Sequence, residues 1–85
     1  MTVYKRDAIS NLVLRARYYM TVNKKDSLTD EQVNNLYESA GAYGLDPSVM
    51  ITIDAMLPDI YKKSRENKTW EAVNAVIEAL EEDVH

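Results

Sequence analysis

The sequence has no cysteine and no phenylalanine, and it contains only one histidine and one tryptophan. Without cysteine the protein has neither a disulfide framework nor thiol chemistry, which is consistent with the reducing cytoplasm. The one histidine, His85, is the last residue of the sequence. A Ser–His or Cys–His pair for nucleophilic catalysis is therefore not expected.

Motifs for cofactors, metals and membranes are missing as well. The sequence contains no HExxH, CxxC, GxGxxG, P-loop or EF-hand pattern. No apolar run approaches the roughly 18–20 residues of a membrane span. The first ten residues, MTVYKRDAIS, carry charges where a signal peptide needs an apolar stretch. We therefore expect a cytoplasmic protein that is not an enzyme, binds no cofactor or metal, and does not enter a membrane.

Positive charge is absent from a long central part of the chain. Hydrophobic residues make up 46% of the 85 residues, which is enough for the core of one domain, and the net charge is −4. Residues 26–61 contain seven acidic residues but no Lys or Arg. Six basic residues precede this acidic stretch, and a short basic cluster at residues 62–68 follows it. An acidic face of this kind can be offered to a basic partner.

The spacing of apolar residues predicts an all-α fold. Residues 1–85 are expected to form a single compact four-helix domain with helices at about residues 7–22, 29–43, 47–65 and 69–82. The first helix carries one apolar stripe that includes Ile9 and Leu12, whereas Leu14 and Tyr18 lie on its opposite side. That second side either packs centrally in the bundle or contacts a partner or another copy of the chain.

Local signals mark the ends of the remaining helices. Thr29 and Gln32 have the spacing of a capping box at the start of the second helix. Asp46 and Pro47 are typical of the start of a helix, and Pro58 predicts a kink in the third helix near Asp54 to Leu57, or a break there.

The aromatic residues are divided between core and surface by their helical positions. Tyr37, Tyr43 and Trp70 fall on predicted buried stripes. Tyr4, Tyr18 and Tyr61 are candidates for exposure, either at an interface or at half-buried edges of the core.

The segment from Ala40 to Ile53, AGAYGLDPSVMITI, joins the second and third helices. Ala40 precedes Gly44 by four residues, Leu45 follows the glycine, and Met50 and Ile53 supply apolar positions of the next helix. This pattern resembles the helix-turn-helix of bacterial repressors. The resemblance implies a DNA-binding transcriptional regulator, with Ser48 and Thr52 facing bases and phosphate contacts from Arg15, Arg17, Lys62, Lys63 and Arg65.

The chemistry of that corner nevertheless argues against DNA. The outward positions of the third helix hold no Arg, Asn or Gln, the side chains that make bidentate contacts with bases. Both helices of the corner also lie within the acidic stretch, which repels phosphates. Nucleic acid is therefore the less favoured partner, and DNA binding is kept as an alternative.

The interpretation we favour is a small protein-binding regulator or inhibitor. Its acidic helical surface, with Glu31, Glu38 and Asp54, would face a basic partner such as a nucleic-acid-binding protein. A second alternative is a self-associating structural module, a homo-oligomer, that uses Leu14 and Tyr18.

Overall fold

The computed structural model describes residues 3–82. In this part of the chain, all of the regular secondary structure is helical. Its five helices are α1 (Val3–Asn23), α2 (Asp30–Ala42), α3 (Pro47–Ala55), α4 (Leu57–Arg65) and α5 (Thr69–Glu82). The all-α prediction is confirmed, but the prediction of four helices is wrong. Across these residues, no helix is both long and apolar enough to cross a membrane.

The extra helix arises because the predicted helix at residues 47–65 breaks at Met56, which is the second of the two outcomes expected from Pro58, a kink or a break. The backbone N–H of Met56 donates to the carbonyl oxygens of Thr52 and Ile53 at 3.2 and 3.1 Å, and this tight turn ends α3. Pro58 is the second residue of α4, and it has no N–H to donate to the carbonyl of Asp54. The break lets α3 pack on α2 and α5 while α4 packs on α1 and α5.

The apolar stripe of α1 forms the centre of the core. Its buried residues include Ile9, Leu12, Val13 and Met20, each at most 1% exposed. α1 packs against α2, α4 and α5, and their apolar sides close around this stripe. The helix begins at Val3, four residues before the predicted start at Asp7.

Hydrogen bonds join α1 and α2 into an antiparallel hairpin. Near the connecting loop, the side-chain amides of Asn23 and Gln32 donate to each other at 2.7 and 3.2 Å. Farther along, the guanidinium of Arg15 donates to the hydroxyl of Ser39 at 2.7 Å. These pairs also show which parts of the two helices lie side by side: Asn23 beside Gln32, and Arg15 beside Ser39.

The predicted capping box at the start of α2 is present. The hydroxyl of Thr29 accepts a hydrogen bond from the backbone N–H of Gln32 at 3.2 Å, and the side-chain oxygen of Gln32 accepts from the backbone N–H of Thr29 at 3.0 Å. Because Gln32 also bonds to Asn23, the cap fixes the start of α2 against the end of α1.

Replacing Thr29 with Ala should lower the free energy of unfolding by about 1 kcal/mol, the usual effect of losing a side-chain N-cap. Thr29→Ser keeps the hydroxyl and should cost much less. Chemical denaturation of both variants measures the difference. Equal stability of Thr29→Ala and the wild type would contradict a stabilising role for the cap.

Candidate functional site

Large apolar side chains remain exposed at six positions within residues 3–82. They are Tyr4, Tyr18, Val22, Tyr37, Ile51 and Trp70. The predicted burial of Tyr37 and Trp70 is wrong, since these side chains are 40% and 66% exposed. At 3.6 residues per turn, each lies roughly a quarter turn from the centre of its helix's buried face. Both therefore border the core without entering it, and they are available to a partner.

The candidate binding surface lies on α2 and α3, which pack against each other. Glu31 and Glu38 are seven residues apart and therefore share the outer face of α2, and both are exposed. Asp54 is exposed on α3, as is Ile51, which is 62% exposed. We call Glu31, Glu38 and Asp54, together with Tyr37 and Ile51, the acidic surface.

In the part of the chain that the structure describes, the carboxylates of the acidic surface have no internal counterions. Among residues 3–82, Glu31, Glu38 and Asp54 form no ion pair with Lys or Arg. Some acidic residues of other helices do have such partners, although Glu71, Glu78 and Glu82 of α5 form no ion pair within residues 3–82 either. Asp59 pairs with Lys63 at 3.2 Å, and Glu81 pairs with Arg6 at 3.7 Å. The negative charge of the acidic surface is thus left for solvent or for a partner.

The corner between α2 and α3 is fixed by its backbone. Gly44 has a φ of 73°, in the left-handed region that glycine adopts without strain. The N–H of the buried residue Leu45 donates to the carbonyl of Ala40 at 2.9 Å and closes the end of α2. α3 then begins at Pro47. A tight, apolar corner of this kind does not by itself indicate DNA binding. The likeness to the helix-turn-helix of a repressor remains a prediction.

Asp46 places a negative charge at the start of α3. Its carboxylate caps the helix and accepts a hydrogen bond from the backbone N–H of Ser48 at 2.9 Å. Hydrogen bonds from the N–H and the hydroxyl of Ser48, together with the nearby charge of Lys5, hold the pKa of Asp46 below its ordinary value. The carboxylate is therefore ionised at neutral pH, at the end of the helix that would approach DNA bases.

The residues predicted to contact bases differ in their exposure. Ser48 is exposed, and its backbone N–H donates to the carboxylate of Asp46. Thr52 is half-buried on α3.

The residues predicted to contact phosphates lie on α1 and α4, which pack against each other, and most have contacts within the chain. Arg15 bonds to Ser39, Lys63 pairs with Asp59, and Arg65 lies over the ring of Tyr61 at 5.8 Å from its centre. Lys62 is exposed, whereas Arg17 is half-buried; across residues 3–82 its Nε atom is shielded from solvent and has no hydrogen-bond partner.

Leu14 and Tyr18 do not form one surface. Leu14 is partly buried and packs against the core cluster, whereas Tyr18 is 63% exposed. Val22, one turn beyond Tyr18, is also exposed, and the sequence did not single it out. Tyr18 and Val22 therefore form an exposed apolar pair one turn apart on α1.

A shallow cleft lies where the start of α3 meets α1 and the end of α5. Its volume is about 220 Å³, and its lining comprises Lys5, Ile9, Leu45, Asp46, Ser48, Val49 and Leu80. Typical pockets for small ligands have about 300–1,000 Å³. Among the described residues, no group of three or more His, Asp or Glu side chains is placed to hold a metal ion.

Comparison with known proteins does not extend this description. No family model matches the chain, and neither a curated protein nor a solved structure matches it. The functional proposals below rest on the surfaces of the molecule.

Replacing Asp46 with Asn should change how the stability of the fold depends on pH under acidic conditions. Because the folded pKa of Asp46 is lowered, its ionised form stabilises the fold above the unfolded value of ~3.9, and this contribution is lost as the pH falls through the folded pKa. Thermal unfolding should show a stability gap between wild type and Asp46→Asn that narrows from about pH 6 to about pH 2.

The matched control is Asp54→Asn, since Asp54 is an exposed aspartate of α3 that makes no side-chain hydrogen bond within residues 3–82. If the difference in stability between wild type and Asp46→Asn stayed constant across this pH range, the cap would not depend on ionisation of the Asp46 carboxyl group.

Proposed function

We propose that this chain is a small protein-binding regulator or inhibitor that docks through its acidic surface. The observation that carries the proposal is that Glu31, Glu38 and Asp54 are exposed and form no ion pair with any residue in the described range 3–82. Such a surface attracts a basic partner from a distance and speeds its association.

The acidic surface also contains exposed apolar side chains, which a bound partner would bury. Tyr37 and Ile51 stand on the same two helices as the three carboxylates. Interfaces gain most of their affinity from a few buried aromatic and aliphatic anchors, while charges set specificity and rate. The partner that fits is therefore a basic segment with apolar residues, as found in nucleic-acid-binding proteins.

Charge reversal of the acidic surface should abolish capture of basic sequences. When the immobilised wild type is used to select from a display library of random peptides, the enriched peptides should be rich in Lys and Arg and contain apolar residues. The triple variant Glu31→Lys, Glu38→Lys, Asp54→Lys should weaken their binding by about tenfold or more, because each reversed charge repels the peptide.

A matched control is offered by α5, where Glu71, Glu78 and Glu82 are also exposed. Reversing these three charges alters the net charge equally and should leave binding nearly unchanged. Peptides without basic enrichment, or equal losses in the two triple variants, would contradict a specific role of the acidic surface.

DNA binding is the alternative, and it is favoured by the exposed position of Ser48 at the start of α3. It would require Arg15, Arg17, Lys62, Lys63 and Arg65 to contact phosphates. The ionised carboxylate of Asp46 and the internal contacts of Arg15, Lys63 and Arg65 oppose this arrangement. We therefore place DNA second.

Fluorescence anisotropy of a labelled random-sequence duplex distinguishes the two functions. At low salt we expect no saturable binding, because the α2–α3 corner repels phosphates. Binding that fades steeply with salt, and that is lost when the five basic residues are replaced by Ala, would instead establish the DNA-binding alternative.

A further inference from the structure

We infer that one partner of the acidic surface is a second copy of this chain, bound through the outer face of the α1–α2 hairpin. This inference rests on the proposed function, because it takes Glu31 and Glu38 as a docking surface. It adds the identity of the partner and the way in which two copies face each other.

The outer face of the hairpin combines opposite charges with exposed apolar groups. On α1, Tyr18 and Val22 lie one turn apart and are 63% and 59% exposed. Arg15 is exposed on the same side of α1, and Lys25 is exposed just after the helix ends. α2 contributes Glu31 and Glu38, so basic and acidic side chains lie on neighbouring helices of one platform.

The platform is preformed, which limits the entropy lost on binding. The bonds between Arg15 and Ser39 and between Asn23 and Gln32 hold the two helices side by side. Arg15 uses one of its five N–H donors on Ser39 through Nη1, so other donors remain for a carboxylate.

Charge complementarity selects one arrangement of the two copies. A two-fold axis parallel to the helices, running along the seam between α1 and α2, places α1 of each copy over α2 of the other. Arg15 then faces Glu38 of the second copy, since Arg15 lies beside Ser39 in its own chain. Lys25 faces Glu31 of the second copy, since Asn23 lies beside Gln32.

The other two-fold arrangement, with the axis across the helices, would set α1 against α1 and α2 against α2. It would bring like charges together and is disfavoured. In the favoured arrangement both contacts are equivalent, so the assembly closes as a dimer. Tyr18 and Val22 are covered in its interface.

Sedimentation equilibrium of the full chain tests the inference through a charge swap. The wild type should be a dimer whose dissociation constant rises as sodium chloride increases from about 0.1 M to about 1 M. Glu31→Lys with Glu38→Lys, and separately Arg15→Glu with Lys25→Glu, should each weaken the dimer by about tenfold or more. Mixing the two double variants should restore a dimer, because each then offers the charge that the other lacks.

Two further variants keep the result interpretable. Glu71→Lys with Glu78→Lys on α5 should remain dimeric. Tyr18→Ser with Val22→Ser should give folded monomers by circular dichroism, since both side chains are exposed. A wild type that stays monomeric, or a mixture of the charge variants that stays monomeric while the wild type dimerises, overturns the inference. Selected basic peptides that still bind a monomeric wild type would leave the proposed function standing and overturn only this inference.

Discussion

Burial of the apolar stripe of α1 is the constraint on which the rest of the structure depends. Removing such side chains from water is the main favourable contribution to folding, and α2, α4 and α5 all close on this one stripe. Because the inner side of α1 is taken up by the core, its outer side with Tyr18 and Val22 is left for solvent or a partner. The hydrogen bonds of Arg15 to Ser39 and of Asn23 to Gln32 place α2 next to this outer side of α1.

The break at Met56 follows from the same constraint. A continuous helix over residues 47–65 would hold the residues of α3 and α4 along one straight axis. Ending α3 early lets it pack on α2 and α5, while α4 turns toward α1. As a result, α3 presents Ile51 and Asp54 outward beside α2, and the acidic surface extends over two helices.

Short-range patterns in the sequence were sufficient for the all-α class, the capping box at Thr29 and the buried stripe of α1. From the sequence, the break at Met56 could not be distinguished from a kink, because Pro58 removes the same backbone hydrogen bond in both cases. Tyr37 and Trp70 were misplaced because helical periodicity does not tell the edge of a buried face from its centre. The exposed carboxylates of the candidate site were expected from their positions. The hydrogen bond of Arg15 to Ser39 joins side chains 24 residues apart, and their pairing depends on how α1 and α2 pack.

The central claim is that the carboxylates of α2 and α3, and not acidity in general, make this chain a binding module. The most direct measurement is a nuclear magnetic resonance titration of the isotope-labelled protein with a peptide that contains Lys and Leu. The account predicts that the largest chemical-shift changes fall on α2 and α3, with little change near Glu71, Glu78 and Glu82 of α5. Equal changes at the acidic residues of α5, or no changes on α2 and α3, would contradict it.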